Sequence, residues 1–152
     1  MLEAAHDMGL VHRDLTPATV IHATTLAREQ AKLLDFGLAF IADAGGDLGR
    51  VTSKDVISGT PEYVSPEQAM GRVLGPPSDV YALGCVLYEM FTGEVPFAAD
   101  SQVGVAMKHV NEELPDVQRE RPELSAATAL VVERATAKDP TKRYADIGEM
   151  ID

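Results

Sequence analysis

The sequence predicts a mainly α fold with a minor β component (α+β), and three observations carry that expectation. From Pro76 onward apolar residues recur at helical spacing. Before residue 35 they come only in short runs of strand length. Between the two regions, residues 42 to 60 are rich in Gly, Asp, Ser and Thr and too poor in apolar side chains to pack, which reads as a long surface loop. At 152 residues and 45% hydrophobic, the chain is long enough for one domain with a core and too short to expect two.

Leu2 to Met8 reads as the last turns of a helix stopped by Gly9, and without a capping signal ahead of it the chain is expected to begin inside an element. Leu10-Val11, Val20-Ile21 and Lys32 to Leu34 read as brief strands. Pro76-Pro77-Ser78 opens the central helix with Ser78 as its N-cap. Val80, Tyr81, Leu83, Val86, Leu87, Met90 and Phe91 then make it apolar nearly all round, as a buried helix requires, until Gly93. Two amphipathic surface helices follow. The one near 101 to 110 carries Val103, Met107 and Val110 on one stripe, and the one near 125 to 137 carries Leu130, Val131 and Ala135. Asp146, with Glu149 three residues on, resembles a capping arrangement for a last helix, which the end of the chain is expected to cut short.

Charge and composition exclude several functions. Thirteen basic against 24 acidic residues give a net charge of −11, which repels a nucleic-acid backbone and an anionic membrane surface alike. The longest apolar run, Val80 to Met90, holds Glu89 and is too short to span a bilayer, and the N-terminus has no signal-peptide pattern. The expected location is the cytoplasm, which suits a lone Cys85 read as a buried core thiol. His6, His12, His22 and His109 have no metal-ligand spacing.

Three short signatures occur in order: His12-Arg13-Asp14, then Asp35-Phe36-Gly37, then Gly59-Thr60-Pro61-Glu62-Tyr63-Val64-Ser65-Pro66-Glu67. Asp79-Val80-Tyr81-Ala82-Leu83-Gly84 and Asp139-Pro140 with Arg143 follow. Together they resemble the second half of the protein-kinase signature set, and the GTPEY to SPEQ segment looks most like the bacterial eukaryotic-like serine/threonine kinases. The resemblance runs over essentially the whole chain. It implies the C-terminal lobe of the protein-kinase fold, with short strands around the catalytic and metal-binding loops. Its parts are a catalytic loop at 12–19, an activation segment at 35–67 and a helical substrate-binding subdomain at 77–152.

By the same resemblance, the reaction is phosphoryl transfer from ATP, with Mg2+, to a protein Ser or Thr, a reaction carried by positioning and electrostatics. Asp14 is the carboxylate that accepts or orients the hydroxyl proton. Asp35 is the magnesium ligand, with Phe36 packed beneath it and Gly37 allowing the turn. Arg13 pairs with a phosphorylated activation loop, for which Thr52, Ser53 and Ser58 are the candidate sites. Thr60 lies beside the catalytic aspartate and favours Ser/Thr substrates. Glu67 and Arg143 form a buried ion pair, and Asp79 receives backbone N–H groups of the catalytic loop. Ile21, Val86 and Met90 support the adenine from below, and Asp35 adjoins the nucleotide phosphates.

The resemblance also has departures. The family pattern after the aspartate is Leu-Lys-Pro-Glu-Asn, whereas this chain reads Leu15-Thr16-Pro17-Ala18-Thr19. Thr16 replaces a positive charge that stabilises the transferring group, a loss of ~10²–10³ in rate. Thr19 replaces a metal ligand, although a Thr hydroxyl can itself ligate magnesium. No Gly-rich loop or Val-Ala-Ile-Lys strand precedes the catalytic loop in these residues. The surface of His12 and Phe36 that meets the N-terminal lobe in the family is then expected to be exposed and to invite self-association or a partner kinase chain. The expectation is a serine/threonine kinase, present as an incomplete domain and inactive or weak alone. The alternative is a pseudokinase-like docking or regulatory lobe.

Overall fold

The computed structural model describes residues 2–25, 28–34 and 60–151. It is mostly helical, with one small two-stranded antiparallel sheet, the architecture of a kinase C-terminal lobe. Helix α1 spans Leu2–Asp7 and ends in a left-handed stop at Gly9, φ 73°. There the Gly9 N–H bonds the His6 carbonyl at 2.8 Å and the Leu10 N–H bonds the Ala5 carbonyl at 2.9 Å, the paired closure of a Schellman cap. That closure overturns the strand expected at Leu10-Val11. Leu10 spends its donor on the helix end, and the segment joins no ladder among the described residues.

Strands β1 (Val20–Thr25) and β2 (Arg28–Leu33) are longer than their apolar runs, because backbone pairing continues past the residues that face the core. The register sets Val20 opposite Leu33, and both pack on the main core, while Ile21 stands opposite Lys32. The Leu34 N–H bonds the Thr19 carbonyl at 2.8 Å, which ties the strand pair to the loop before it.

The short helix α2 (Pro66–Ala69) is capped by Ser65. The long central helix α3 runs from Pro76 to Thr92 and closes at Gly93. It begins two residues before the expected N-cap: Gly75 holds that position, Pro76 opens the first turn, and Ser78 lies inside the helix, buried. Helices α4 (Gln102–Asn111) and α6 (Ala126–Ala135) are capped by Ser101 and Ser125, and the one-turn α5 (Val117–Glu120) by Asp116. In α7 (Ile147–Ile151) the Glu149 N–H bonds Asp146 Oδ1 at 2.9 Å, while the Glu149 carboxylate accepts the Ala145 N–H.

The core gathers around α3. Val80 and Ala82 pack with Leu2, Leu15, Ala135, Tyr144 and Ile147, and Tyr88 packs with Val117 and Val132. The approach of α6 is so close that a Cβ on Gly84 would lie 2.6 Å from Thr136 Cγ2, so only glycine fits there. The predicted stripe on α4 faces outward, and the one on α6 is split, with Val131 and Ala135 on the core and Leu130 outside. Val103 and Met107 on α4 are exposed, and the buried face is Val105, Ala106 and His109. Leu130 on α6 is likewise exposed, and Val132 with Ala135 faces inward.

Candidate active site

The loop at 12–19 hangs from one buried carboxylate. Asp79, in the first turn of α3, accepts the His12 N–H through Oδ2 at 2.8 Å and the Arg13 N–H through Oδ1 at 2.9 Å. The same Oδ2 lies 2.8 Å from His6 Nε2 on α1. Arg13 has φ 69°, left-handed backbone that a residue with a Cβ resists, and its bond to Asp79 holds that turn in place. The Arg13 carbonyl accepts the Gln68 side-chain amide at 2.9 Å, so α2 grips the same turn from the other side.

Asp14 follows directly. Its Oδ1 accepts the backbone N–H of Thr60 at 3.3 Å, joining two segments 46 residues apart. The Asp14 N–H lies 3.4 Å from His12 Nδ1, and His12 Nε2 lies 2.9 Å from the Leu34 carbonyl. One imidazole tautomer, with the proton on Nε2, serves both contacts. The 12–19 loop is thereby tied to the residue that precedes Asp35.

Thr16 and Thr19 are both buried and close the loop on itself. The Thr19 hydroxyl accepts the Thr16 N–H at 3.0 Å and donates to the Thr16 carbonyl at 2.9 Å. The hydroxyl thus spends its proton and one of its two lone pairs on the loop's own backbone. Arg13 Nε is buried and meets no hydrogen-bond partner among the described residues.

Glu67 and Arg143 meet as a bidentate pair at 2.7 and 2.8 Å, deep beneath the Thr60 to Glu67 segment. The remaining guanidinium donors reach the carbonyls of Pro77 (2.9 Å), Ala137 (2.6 Å) and Lys138 (3.1 Å). Ser78 donates to Glu67 Oε1 at 2.8 Å. Burial pushes the Glu67 carboxyl up, but the hydrogen bonds and charge of Arg143 outweigh it, and Glu67 titrates below its ordinary range.

Of the three residues set beneath the adenine, Val86 is buried, while Ile21 and Met90 are 43% and 71% exposed. Asp35, Phe36, Gly37, Thr52, Ser53 and Ser58 lie outside the described residues. Several partners escaped sequence reasoning: His6 on Asp79, Ser78 on Glu67, and Gln68 on Arg13. Each acts across the fold, and no local spacing announces it. A further buried group was also missed, in which Tyr81 Oη lies 2.9 Å from His109 Nδ1 and accepts from Lys138 Nζ at 3.3 Å. Cys85 is buried nearby, and burial pushes its thiol up to about 12, which leaves it inert at neutral pH.

A family model, the protein kinase domain, matches residues 1–151, and the chain belongs to that family. Among curated proteins, the chain is 45% identical over 150 residues to "Serine/threonine-protein kinase PknB" of Mycobacterium tuberculosis, covering 98% of this chain and 23% of that protein. It is 43% identical over 147 residues to "Serine/threonine-protein kinase pkn3" of Myxococcus xanthus, covering 95% and 27%. A third relative, "Probable serine/threonine-protein kinase PknB" of Lactococcus lactis, is 38% identical over 99% of this chain and 23% of its own length. The chain thus spans about a quarter of the length of these relatives. Among the described residues no helix is long and apolar enough to cross a membrane.

Proposed function

We propose that this chain is the catalytic-loop half of a cytoplasmic serine/threonine protein kinase domain, and that its catalytic loop is impaired. The proposed parts are a catalytic loop at 12–19, an activation segment at 35–67 and a substrate-binding subdomain at 77–152. The observation that carries the reading is the Asp14 carboxylate meeting the Thr60 N–H, because it joins the candidate base to the segment a substrate hydroxyl would lie along. Asp14 takes the proton of the attacking Ser or Thr hydroxyl. ATP would supply the phosphoryl group, and Mg2+, which Asp35 would hold by the family resemblance, would neutralise its charge. The unpartnered Nε of Arg13 supports its role as the donor for a phosphorylated activation segment.

The described residues fit the metal poorly. No group of three or more His, Cys, Asp or Glu comes together among them, and the Thr19 hydroxyl is committed to Thr16. Metal binding then rests on Asp35, and with Thr16 uncharged the loop lacks two groups, each worth ~10²–10³ in rate. These 152 residues alone, holding neither a Gly-rich phosphate cradle nor its lysine strand, are expected to transfer no phosphate. A second reading, a docking or regulatory lobe for a protein substrate or a partner kinase chain, is favoured by the closed Thr19 and by the exposed Val103 and Met107 of α4.

A two-by-two experiment separates these readings. An N-terminal lobe from a bacterial relative is fused ahead of Met1, and independently Thr16→Lys with Thr19→Asn repairs the loop. Phosphate transfer to a generic protein substrate should be absent with repair alone, at most a trace with fusion alone, and clear only with both. Equal rates with fusion alone and with both would mean that Thr16 and Thr19 are functional substitutes. A folded but inactive protein carrying both the fusion and the repair would count against the kinase reading itself.

A further inference from the structure

A groove of about 540 Å3 runs between the 113–118 segment and the outward face of α6, within the roughly 300–1,000 Å3 of ordinary ligand pockets. None of its lining residues belongs to the catalytic loop, to Asp79 or to the Glu67–Arg143 pair. Its floor is apolar, with the buried Val117 and Val132 beneath and Leu130, 61% exposed, forming one wall. Its titratable lining is all of one sign: Glu113, Asp116 and Glu133, with no Lys, Arg or His. None of the three carboxylates is ion-paired among the described residues, although Lys108 pairs with Glu112 just outside.

We propose that this groove docks a short cationic, amphipathic segment of a partner protein, with leucine-like side chains on the Val117–Val132 floor and Lys or Arg side chains at the three carboxylates. The chemistry narrows the occupant. An anionic ligand would face three carboxylates of like charge at the groove's exposed rim and is repelled. A metal ion is not accommodated, since the carboxylates do not converge into an ion site. A polyamine would satisfy the charges but leave the apolar floor against water or against its own ammonium groups, whereas an alternating basic and apolar peptide meets both surfaces. The groove lies apart from the Asp14 site, so this docking stands or falls independently of the catalytic reading.

The test is fluorescence anisotropy of a short fluorescein-labelled peptide of alternating leucine and arginine, titrated with the full chain at moderate salt. Saturable binding is expected. It should weaken about tenfold with Glu133→Lys, which removes one attraction and adds one repulsion, and severalfold with Leu130→Ser. Both positions are exposed, so denaturant midpoints should stay unchanged. A peptide with its leucines replaced by serine should bind at least tenfold more weakly. Asp7→Lys, on α1 away from the groove, should change the affinity less than twofold. Absence of binding, equal binding of the serine peptide, or equal weakening by Asp7→Lys and Glu133→Lys would each overturn the proposal, the last two by showing diffuse attraction to an acidic surface.

Discussion

Arg143 places all five of its N–H donors: two on Glu67 and three on carbonyls from two separate segments of chain. Removing it leaves the buried Glu67 carboxylate without its counter-charge, with Ser78 still donating to it, and takes one donor from each of three carbonyls. Arg143→Ala should cost about 3–5 kcal/mol in the denaturant midpoint, whereas the exposed Arg119→Ala should fall within about 0.5 kcal/mol. Equal shifts for the two would show that the pair does not hold the segment. In the 12–19 loop, the Thr19 hydroxyl is both acceptor and donor for Thr16. Thr19→Val should therefore leave the buried Thr16 N–H unsatisfied at a cost of about 1–3 kcal/mol, while Thr19→Ser keeps most of the stability. Equal urea midpoints for the two variants would mean that the hydroxyl is not the closure.

At the scale of elements, α4 shows why a stripe of apolar residues is an ambiguous signal. Val103, Met107 and Val110 share a helical face, yet the helix buries the adjacent one, where His109 meets the rings of Phe97 and Tyr81 at centroid distances of 4.8 and 5.6 Å. Val105 and Ala106 are buried with His109, and the larger Met107 stays outside. Val105→Ala should cost about 2 kcal/mol through the cavity it leaves, and Met107→Gln less than about 0.5 kcal/mol. Thermal unfolding of both variants checks the assignment, and the reverse order would restore the expected stripe. The helix starts were more legible. The helices expected from about 101 and 125 begin there, and Ser101 and Ser125 cap them by accepting N–H groups at 3.0 Å from Gly104 and Thr128. Ser78 was not: a proline at the first helical position moved the start upstream and freed its hydroxyl for Glu67.

For the whole molecule, acid is the revealing perturbation, because two buried groups respond to it in the same direction. Burial, with the Lys138 charge adding to it, pulls His109 down to about 4 from the ordinary 6.5. Between those values the unfolded chain binds a proton that the folded chain refuses, so stability is full above about 6.5 and declines as the pH falls toward 4, by at most about 3 kcal/mol. Glu67, held below its ordinary 4.5, contributes stability that is present above that value and is lost as the pH falls through its lowered range. Urea midpoints of His109→Gln should show a flatter slope than wild type between pH 6.5 and 4.5, with the steep loss below 4.5 retained. Parallel curves would rule out His109 as a source of the acid sensitivity.

By itself the sequence determined the class of fold, the family and the order of the motifs, because helical periodicity, turn residues and short signatures are local properties written within a few residues. It also pointed, through the family resemblance, to Asp79 beneath the catalytic loop and to Glu67 with Arg143. Only the tertiary structure decided which face of α4 and α6 is buried, where α3 begins, and that the Leu10 N–H closes α1. It alone brought His6 to Asp79, turned the Thr19 hydroxyl onto its own loop, and opened an acidic, apolar-floored groove beside α6. Those outcomes depend on which surfaces compete for the same space around α3 and on contacts between distant parts of the chain, such as the hydrogen bonds from Arg143 to Glu67, 76 positions away. Local patterning offers a helix several faces to bury, and the packing of the whole molecule selects one.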